Sequence, residues 1–319
     1  MKKDFKLNNF SEFIGQKKLL TTLKAMIKSA KIQNKNIDHI LFSGVPGSGK
    51  TTLATLIAKE SNRKIHYIQA ISLEKKADLI SILSVINEND ILFIDEIHSL
   101  NKTIEELLYS AMEYFVFDLV VGVDQNAKTI RMKLKKFTLI GATTLINNIA
   151  KPLLDRFGYV ARLEIYEESD ILKIITNTAK KLNISAEENA LEIISKHSQC
   201  TPRIANNLLK RCYDFCVSDN KSVLSKNTVL KTLKYLDIYE YGLTKQQIDY
   251  INLLRESFNE KWVSLNTISS ITKQHKEIIL NEIEPLLLLH GLIEKGGRGR
   301  RISTQGIDYL IKNVKLNIS

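Results

Sequence analysis

The sequence predicts an α/β protein in which a helix-covered parallel sheet, built on a phosphate-binding loop, is followed by a small helical unit and a C-terminal winged helix. Three observations predict it. The string Gly44-Val45-Pro46-Gly47-Ser48-Gly49-Lys50-Thr51 matches G-x-x-x-x-G-K-[ST] and follows directly on the apolar run Ile40-Leu41-Phe42. Short apolar runs alternate with helical periods as far as residue 144, the pattern of a parallel sheet with crossover helices. From about residue 166 the strand signals stop and helical periods take over, ending in a basic hairpin pattern.

Apolar positions at helical spacing near residues 17–35 predict the first helix. Ile40-Leu41-Phe42-Ser43 reads as a buried strand entering the loop, and Thr52-Leu53-Ala54-Thr55-Leu56-Ile57-Ala58 continues the helix that should begin near Lys50. A strand at 64–69 and a helix at 77–85 precede Ile91-Leu92-Phe93-Ile94, bounded by Asn89-Asp90 on one side and charges on the other. After a helix at 103–114, the run Leu119-Val120-Val121-Gly122, the turn Asp124-Gln125-Asn126 and the alternating Ile130-Arg131-Met132-Lys133-Leu134-Lys135 predict a hairpin. Residues 137–140 supply another strand, which ends at Gly141-Ala142-Thr143-Thr144. Helical periods then run through 169–182, 187–197, 202–217 and 225–236, and residues 239–244 read as a connector. Helices near 245–257, 264–270 and 275–289, then Leu292-Ile293-Glu294, the turn Gly296-Gly297-Arg298-Gly299 and Arg300-Arg301-Ile302-Ser303, follow the order of a winged helix. The predicted domains are 1–165, 166–237 and 238–319.

With 319 residues, 44% hydrophobic and 25% charged, the chain is large enough for two or three folded domains and is neither disordered nor fibrous in composition. Its 46 Lys and Arg against 35 Asp and Glu give a net charge of +11, which favours an anionic partner such as nucleic acid; solvated helix faces in a Lys-rich chain produce the same excess. Cys200, Cys212 and Cys216 are odd in number and lack the spacing of a disulfide framework, so free structural thiols in a reducing compartment are expected. The basic start Met1-Lys2-Lys3 has no apolar stretch behind it, and the longest Leu run, 286–289, is too short to cross a bilayer. A cytoplasmic protein without a membrane partner is the expectation.

The motif implies a nucleoside triphosphate. Gly44, Gly47 and Gly49 let backbone N–H groups point at phosphate oxygens, the following helix start adds its dipole, Lys50 reaches the β- and γ-phosphates, and the Thr51 hydroxyl takes a place on Mg²⁺. Asp95-Glu96 ends the next apolar strand: Asp95 suits the metal shell, and Glu96 suits the activation of an attacking water. Thr144, closing a third strand, is read either as a polar strand cap or as a hydroxyl that helps place that water. Arg156, in Leu153-Leu154-Asp155-Arg156-Phe157-Gly158, is read either as a surface arginine or as a finger offered to a neighbouring subunit. Arg203 follows Thr201-Pro202 at a helix start, where a plain capping role is the other reading.

The strings Phe13-Ile14-Gly15-Gln16, Asp38-His39, the loop from Gly44 to Thr52, Leu92-Phe93-Ile94-Asp95-Glu96-Ile97-His98, Ala111-Met112-Glu113, Phe137-Thr138-Leu139-Ile140-Gly141-Ala142-Thr143-Thr144, Asp155-Arg156-Phe157-Gly158 and Thr201-Pro202-Arg203-Ile204-Ala205-Asn206 resemble, in this order, the RuvB family of bacterial Holliday junction branch-migration motors, of the AAA+ class. The likeness runs from about Phe5 to Leu310. It implies an ATP hydrolase coupled to DNA translocation: a hexameric ring with ATP at the subunit interfaces, a helical lid over the nucleotide and duplex DNA in the pore. By this resemblance Lys50, Thr51 and Thr52 hold phosphates and Mg²⁺, Asp95 and Glu96 form the second acidic motif, and Thr144 is the first sensor. Arg156 matches the finger, Arg203 the second sensor, Tyr166 a nucleotide-contacting aromatic, and Glu113-Tyr114-Phe115 a further nucleotide-proximal stretch. The hairpin of about 117–135 matches the element that docks on RuvA, with RuvC joining in a resolvasome, and Lys295, Arg298 and Arg300 match a DNA-contacting wing. Residues 295–319 carry six Lys or Arg against one Asp, which supports phosphate binding apart from the family.

The chain departs from the family in places. Phe5-Lys6-Leu7 stands where Leu-Arg-Pro is usual, so the N-terminal nucleotide contact falls to Phe5 and Lys6. Leu145 and Leu154 replace arginines, which bears on signalling between subunits, and Lys295 and Gly297 replace Arg and Pro in the wing. Two other readings remain: another AAA+ DNA machine such as a clamp loader or replication initiator, and a nucleotide-gated DNA-binding regulator. The winged-helix ending speaks against a clamp loader's helical collar, and intact Lys50, Asp95, Glu96 and Arg156 speak against a regulator.

Overall fold

The protein is described by a computed structural model covering residues 7–121 and 128–314; Phe5, Lys6 and the turn at 124–126 lie outside the described residues. The chain divides into two compact units, Met1–Ile165 and Tyr166–Ser319.

In chain order the first unit contains α1 (Lys17–Ile32), β1 (Ile40–Ser43), α2 (Lys50–Ser61), β2 (Ile65–Gln69), α3 (Lys76–Val85), β3 (Ile91–Asp95), α4 (Lys102–Glu113), β4 (Val116–Val121), β5 (Lys128–Lys133), β6 (Thr138–Thr143), α5 (Lys151–Leu154) and β7 (Tyr159–Arg162). Five strands form one parallel sheet in the order β2-β3-β6-β1-β7. Successive side chains of a strand point to opposite faces, so a strand covered on both sides must be apolar at every position. Ile40 and Phe42 of β1 and Ile91 and Phe93 of β3 accordingly pack with Leu23 and Ile27 of α1 and Leu53 and Ile57 of α2. Leu41, Leu92, Ile94 and Leu139 pack on the other face with Leu79 of α3 and Ile104 and Leu108 of α4. Each such fully buried side chain contributes about 1.5–3 kcal/mol of transfer free energy. This double cover explains why the strands read as uninterrupted apolar runs.

The structure departs from the sequence-based expectation at β7, at the hairpin and at 275–289. The edge strand β7 gives no strand signal because its burial alternates and only Ala161 of its four residues is buried. The hairpin β4–β5 is antiparallel with Phe117 opposite Met132; it begins at Val116, ahead of the apolar run at 119–122 and within a residue of the expected 117. In the second unit, the expected helix at 275–289 is broken into α12 (Lys276–Ile278), a π-helical turn (Ile279–Ile283) and α13 (Glu284–Leu289). Pro285 stands in the first turn of α13. A proline has no N–H to give the preceding turn and its ring crowds the carbonyl four residues back, which a π-turn relieves.

The second unit holds two apolar cores. Helices α6 (Glu168–Leu182), α7 (Glu188–Lys196), α8 (Pro202–Ser218) and α9 (Lys226–Tyr235) gather around Ile171, Ile175, Ile194, Leu209, Cys212 and Val229. Then α10 (Lys245–Glu256), α11 (Leu265–Thr272), α12, α13, the hairpin β8 (Ile293–Gly296) with β9 (Gly299–Ile302), and a closing α14 (Thr304–Val314) surround Ile251, Leu254, Ile268, Leu287 and Leu292. The expected winged helix ends at the hairpin and lacks α14, whose Tyr309 and Leu310 are buried in this core. Between the two cores the Gln199 amide donates to the Gly242 carbonyl at 2.7 Å.

Candidate active site and DNA-facing wing

The phosphate loop leaves β1 at the carboxyl edge of the sheet. Its backbone is left-handed at Gly47 (φ 78°) and Gly49 (φ 108°), where any side chain would be strained, and α2 begins at Lys50 immediately after. Thr51 and Thr52 therefore stand in the first turn, where helix N–H groups lack carbonyl partners and suit an anion. The Lys50 side chain is buried, and its Nζ donates to the carbonyls of Gly44 at 2.8 Å and Val45 at 3.2 Å. Burial lowers the Lys50 pKa, while the charges of Glu96 and then Asp95 oppose that shift. A buried cation over a glycine cradle, with two acids acting on it, fits a nucleotide triphosphate.

Strand β6 lies between β1 and β3, so the loop, Thr144 and Asp95-Glu96 leave three adjacent strands at the same edge. Glu96 has a left-handed backbone (φ 49°, ψ 48°), strain worth on the order of 1 kcal/mol for a non-glycine residue. Its N–H donates to Asp95 Oδ1 at 3.1 Å. Its Oε2 accepts from the Thr144 N–H at 3.2 Å and the Thr144 hydroxyl at 3.0 Å. Thr144 thus binds the acid directly, which favours a site residue over a plain strand cap. His98 stands out in the sequence only as the end of a longer string, yet its Nδ1 lies 3.2 Å from the same Oε2 and 3.0 Å from the Thr143 hydroxyl. The sequence signal for it is its place one turn beyond Asp95-Glu96.

Arg156 follows α5 and is not a free surface arginine. Its guanidinium pairs with Glu113 at 2.9 Å, donates to the Pro152 carbonyl at 2.6 Å and lies 4.9 Å over the Tyr109 ring, while its Nε is buried without a partner. Behind it, burial raises the pKa of Glu105, which is hydrogen-bonded to Tyr109. Glu113 is thereby gathered with Arg156, whereas the neighbouring Tyr114 is exposed and Phe115 packs edge-on to Phe137. Tyr166 and Arg203 belong to the second unit: Tyr166 is buried in the core of α6–α9, and Arg203 is exposed in the first turn of α8, after Pro202.

The wing corrects one expectation. In β8–β9, Lys295 pairs with Arg300 and Glu294 with Arg301, so the two pairs face opposite sides. Arg298, at the turn, is exposed. Arg300 was expected on the DNA-facing surface but points inward: its side chain is 5% exposed and forms a two-pronged pair with Glu284, itself 1% exposed. Tyr250 also donates to Glu284 at 2.6 Å. Period-two alternation puts Arg300 on the inner face beside Ile302, a constraint that a count of basic residues does not see. Lys295 shares that inner face but is half exposed, with Nζ 3.7 Å from Glu284. Arg301, on the outer face, pairs with Glu294 at 2.7 Å and lies 4.9 Å over the Trp262 ring.

All three cysteines are free, and burial pushes the Cys212 thiol up to about 12. No helix among the described residues is long and apolar enough to cross a membrane.

A phosphate cradle and an acid pair at the carboxyl edge of a parallel sheet, continued in the chain by a four-helix unit, place the protein among the AAA+ P-loop ATPases. A family model described as the Holliday junction DNA helicase RuvB P-loop domain matches residues 5–163, the RuvB AAA lid domain matches 166–239, and the RuvB C-terminal winged helix domain matches 240–311. The chain belongs to the RuvB family. It is 56% identical over 305 residues to the Holliday junction branch migration complex subunit RuvB of Mycoplasmopsis synoviae strain 53, covering 96% of each chain. It is 43% identical over 303 residues to the corresponding subunit of Campylobacter lari, covering 95% of this chain and 90% of the relative. The solved Thermotoga maritima RuvB Holliday junction branch migration motor matches with a TM-score of 0.82 at 34% identity, covering 96% of this chain and 98% of that one.

Proposed function

We propose that the protein is the ATP-driven motor subunit of Holliday junction branch migration, acting on duplex DNA together with RuvA. The observation that carries this reading is the likeness to RuvB subunits along 96% of both chains. In this reading residues 1–165 are the ATPase domain, 166–237 the lid and 238–319 the DNA-binding domain. Gly47, Gly49, Lys50, Thr51 and Thr52 bind the triphosphate, and Phe5, Lys6, Glu113, Tyr114, Phe115, Tyr166 and Arg203 contribute to the nucleotide site.

Glu96 takes the proton of the attacking water. Its Oε2 is occupied by Thr144 and His98, which leaves Oε1 for that proton. Thr144 fixes the acid from the adjoining strand. Lys50 stabilises charge as it gathers on the phosphate oxygens, and Arg156 does the same from a neighbouring protomer once released from Glu113. Thr51 and Asp95 would hold a Mg²⁺ ion, which would supply further neutralisation of phosphate charge. No three His, Cys, Asp or Glu side chains cluster as a metal cage among the described residues, and Mg²⁺ needs only one or two protein ligands beside phosphates and water.

Arg298 and Lys295 grip the DNA backbone without reading sequence, and Arg300 keeps their hairpin in place. Exposed Ile130 and Met132 project from one face of the β4–β5 hairpin, which suits an apolar dock for RuvA. A homo-hexameric ring, a RuvC-containing resolvasome and a cytoplasmic site of action complete the proposal. The test is DNA-stimulated ATP hydrolysis with the Lys50→Ala variant as the comparison. The reading expects loss of nucleotide binding and turnover; unchanged ATP affinity in that variant removes the phosphate-loop assignment.

A further inference from the structure

We propose that His98 is a positioning residue for hydrolysis, holding the Glu96 carboxylate through Nδ1 so that Oε1 meets the attacking water. The inference rests on the reading of Glu96 as the base. Two hydrogen bonds converge on Oε2, from the Thr144 N–H at 3.2 Å and the Thr144 hydroxyl at 3.0 Å, and His98 Nδ1 stands 3.2 Å from the same oxygen with the Thr143 hydroxyl as its hydrogen-bond partner. No donor among the described residues lies on Oε1. An ionised carboxylate only accepts, so the contact is attractive when Nδ1 carries its proton. The Thr143 hydroxyl oxygen, 3.0 Å from Nδ1, already accepts from the Leu145 N–H at 3.0 Å and can share the imidazole proton with Glu96.

The placement gives His98 a role beyond packing. Thr144 approaches Glu96 from the end of β6, and His98 approaches from the helical turn Ile97–Ser99 that follows β3. Rotating the carboxylate about its last torsion would break both Thr144 bonds and draw Oε2 away from the His98 ring. The His98 side chain is only 14% exposed, so water substitutes poorly for the imidazole when it is removed. Misplacing a reacting group by about 1 Å costs on the order of 100-fold in rate, which sets the scale of the effect.

The test measures kcat and KM for ATP, nucleotide affinity and thermal melting in the full-length protein and its His98→Ala, His98→Asn and Glu96→Gln variants. His98→Ala should lower kcat by about 10- to 100-fold while KM, affinity and melting stay as in the parent protein. His98→Asn places an amide N–H near the position of Nδ1 and should recover most of the rate. A His98→Ala variant with parental kcat overturns the proposal, as do Ala and Asn variants that are equally slow and also melt early or bind nucleotide weakly. Glu96→Gln separates the two levels: if it turns over at the parental rate, the base assignment itself fails, whereas a slow Glu96→Gln beside a fast His98→Ala removes His98 alone.

Discussion

Replacing Arg300 by Ala leaves the Glu284 carboxylate in the winged-helix core without its guanidinium. Both partners are nearly inaccessible, with side chains 5% and 1% exposed, so solvent screening discounts the pair little. Breaking a buried ion pair by removing one partner costs about 3–5 kcal/mol. The Tyr250 hydroxyl at 2.6 Å and the half-exposed Lys295 ammonium at 3.7 Å remain to compensate, which points to the lower end, about 3 kcal/mol or roughly 150-fold in the folding constant. Because Arg300 ties β9 to the start of α13, the variant should also bind duplex DNA more weakly through a loosened wing. Denaturant unfolding of the full chain, followed by the single Trp262 that packs on that wing, reads the first effect. Duplex binding reads the second. Replacing Arg300 by Met and Glu284 by Leu together should recover much of the stability, since no charge is then left buried. An Arg300→Ala protein that is fully stable yet loses DNA affinity refutes this reasoning and returns Arg300 to direct phosphate contact.

Arg298→Ala, at the exposed tip, should weaken binding to all duplex sequences alike and lower the salt slope by about one for the phosphate it no longer neutralises, without changing stability. If Arg156 acts on a neighbour's nucleotide, mixing Arg156→Ala with Lys50→Ala subunits should restore part of the hydrolysis that each lacks alone; no recovery speaks against a shared site. Burial pushes the Cys212 thiol up to about 12, so at pH 8 it stays protonated and native-state alkylation should spare it until the pH is raised or the domain unfolds. Rapid labelling of Cys212 at pH 8 would contradict its burial.

The sequence shows most clearly what one strand or helix decides by itself. The three central strands β3, β6 and β1 are legible because cover on both faces keeps them buried along almost their whole length. The edge strand β7 and the closing α14 are not, because β7 is half wetted and α14 follows directly on the hairpin. Among site residues, the phosphate loop and Asp95-Glu96 are carried by local spacing. The bonds from Thr144 to Glu96 and between His98 and Thr143 depend on which strands the sheet makes neighbours, and the inward turn of Arg300 depends on the face it takes in β9. A linear reading recognises such residues but not their partners.

ATP cleavage at this loop drives the movement of branched DNA. Strand exchange on a synthetic four-way junction, with RuvA present, tests it most directly. Junction movement should need hydrolysable ATP and be lost in both the Lys50→Ala and Glu96→Gln variants. Movement that persists in either variant, or a purified protein that hydrolyses ATP but never moves the junction, contradicts it.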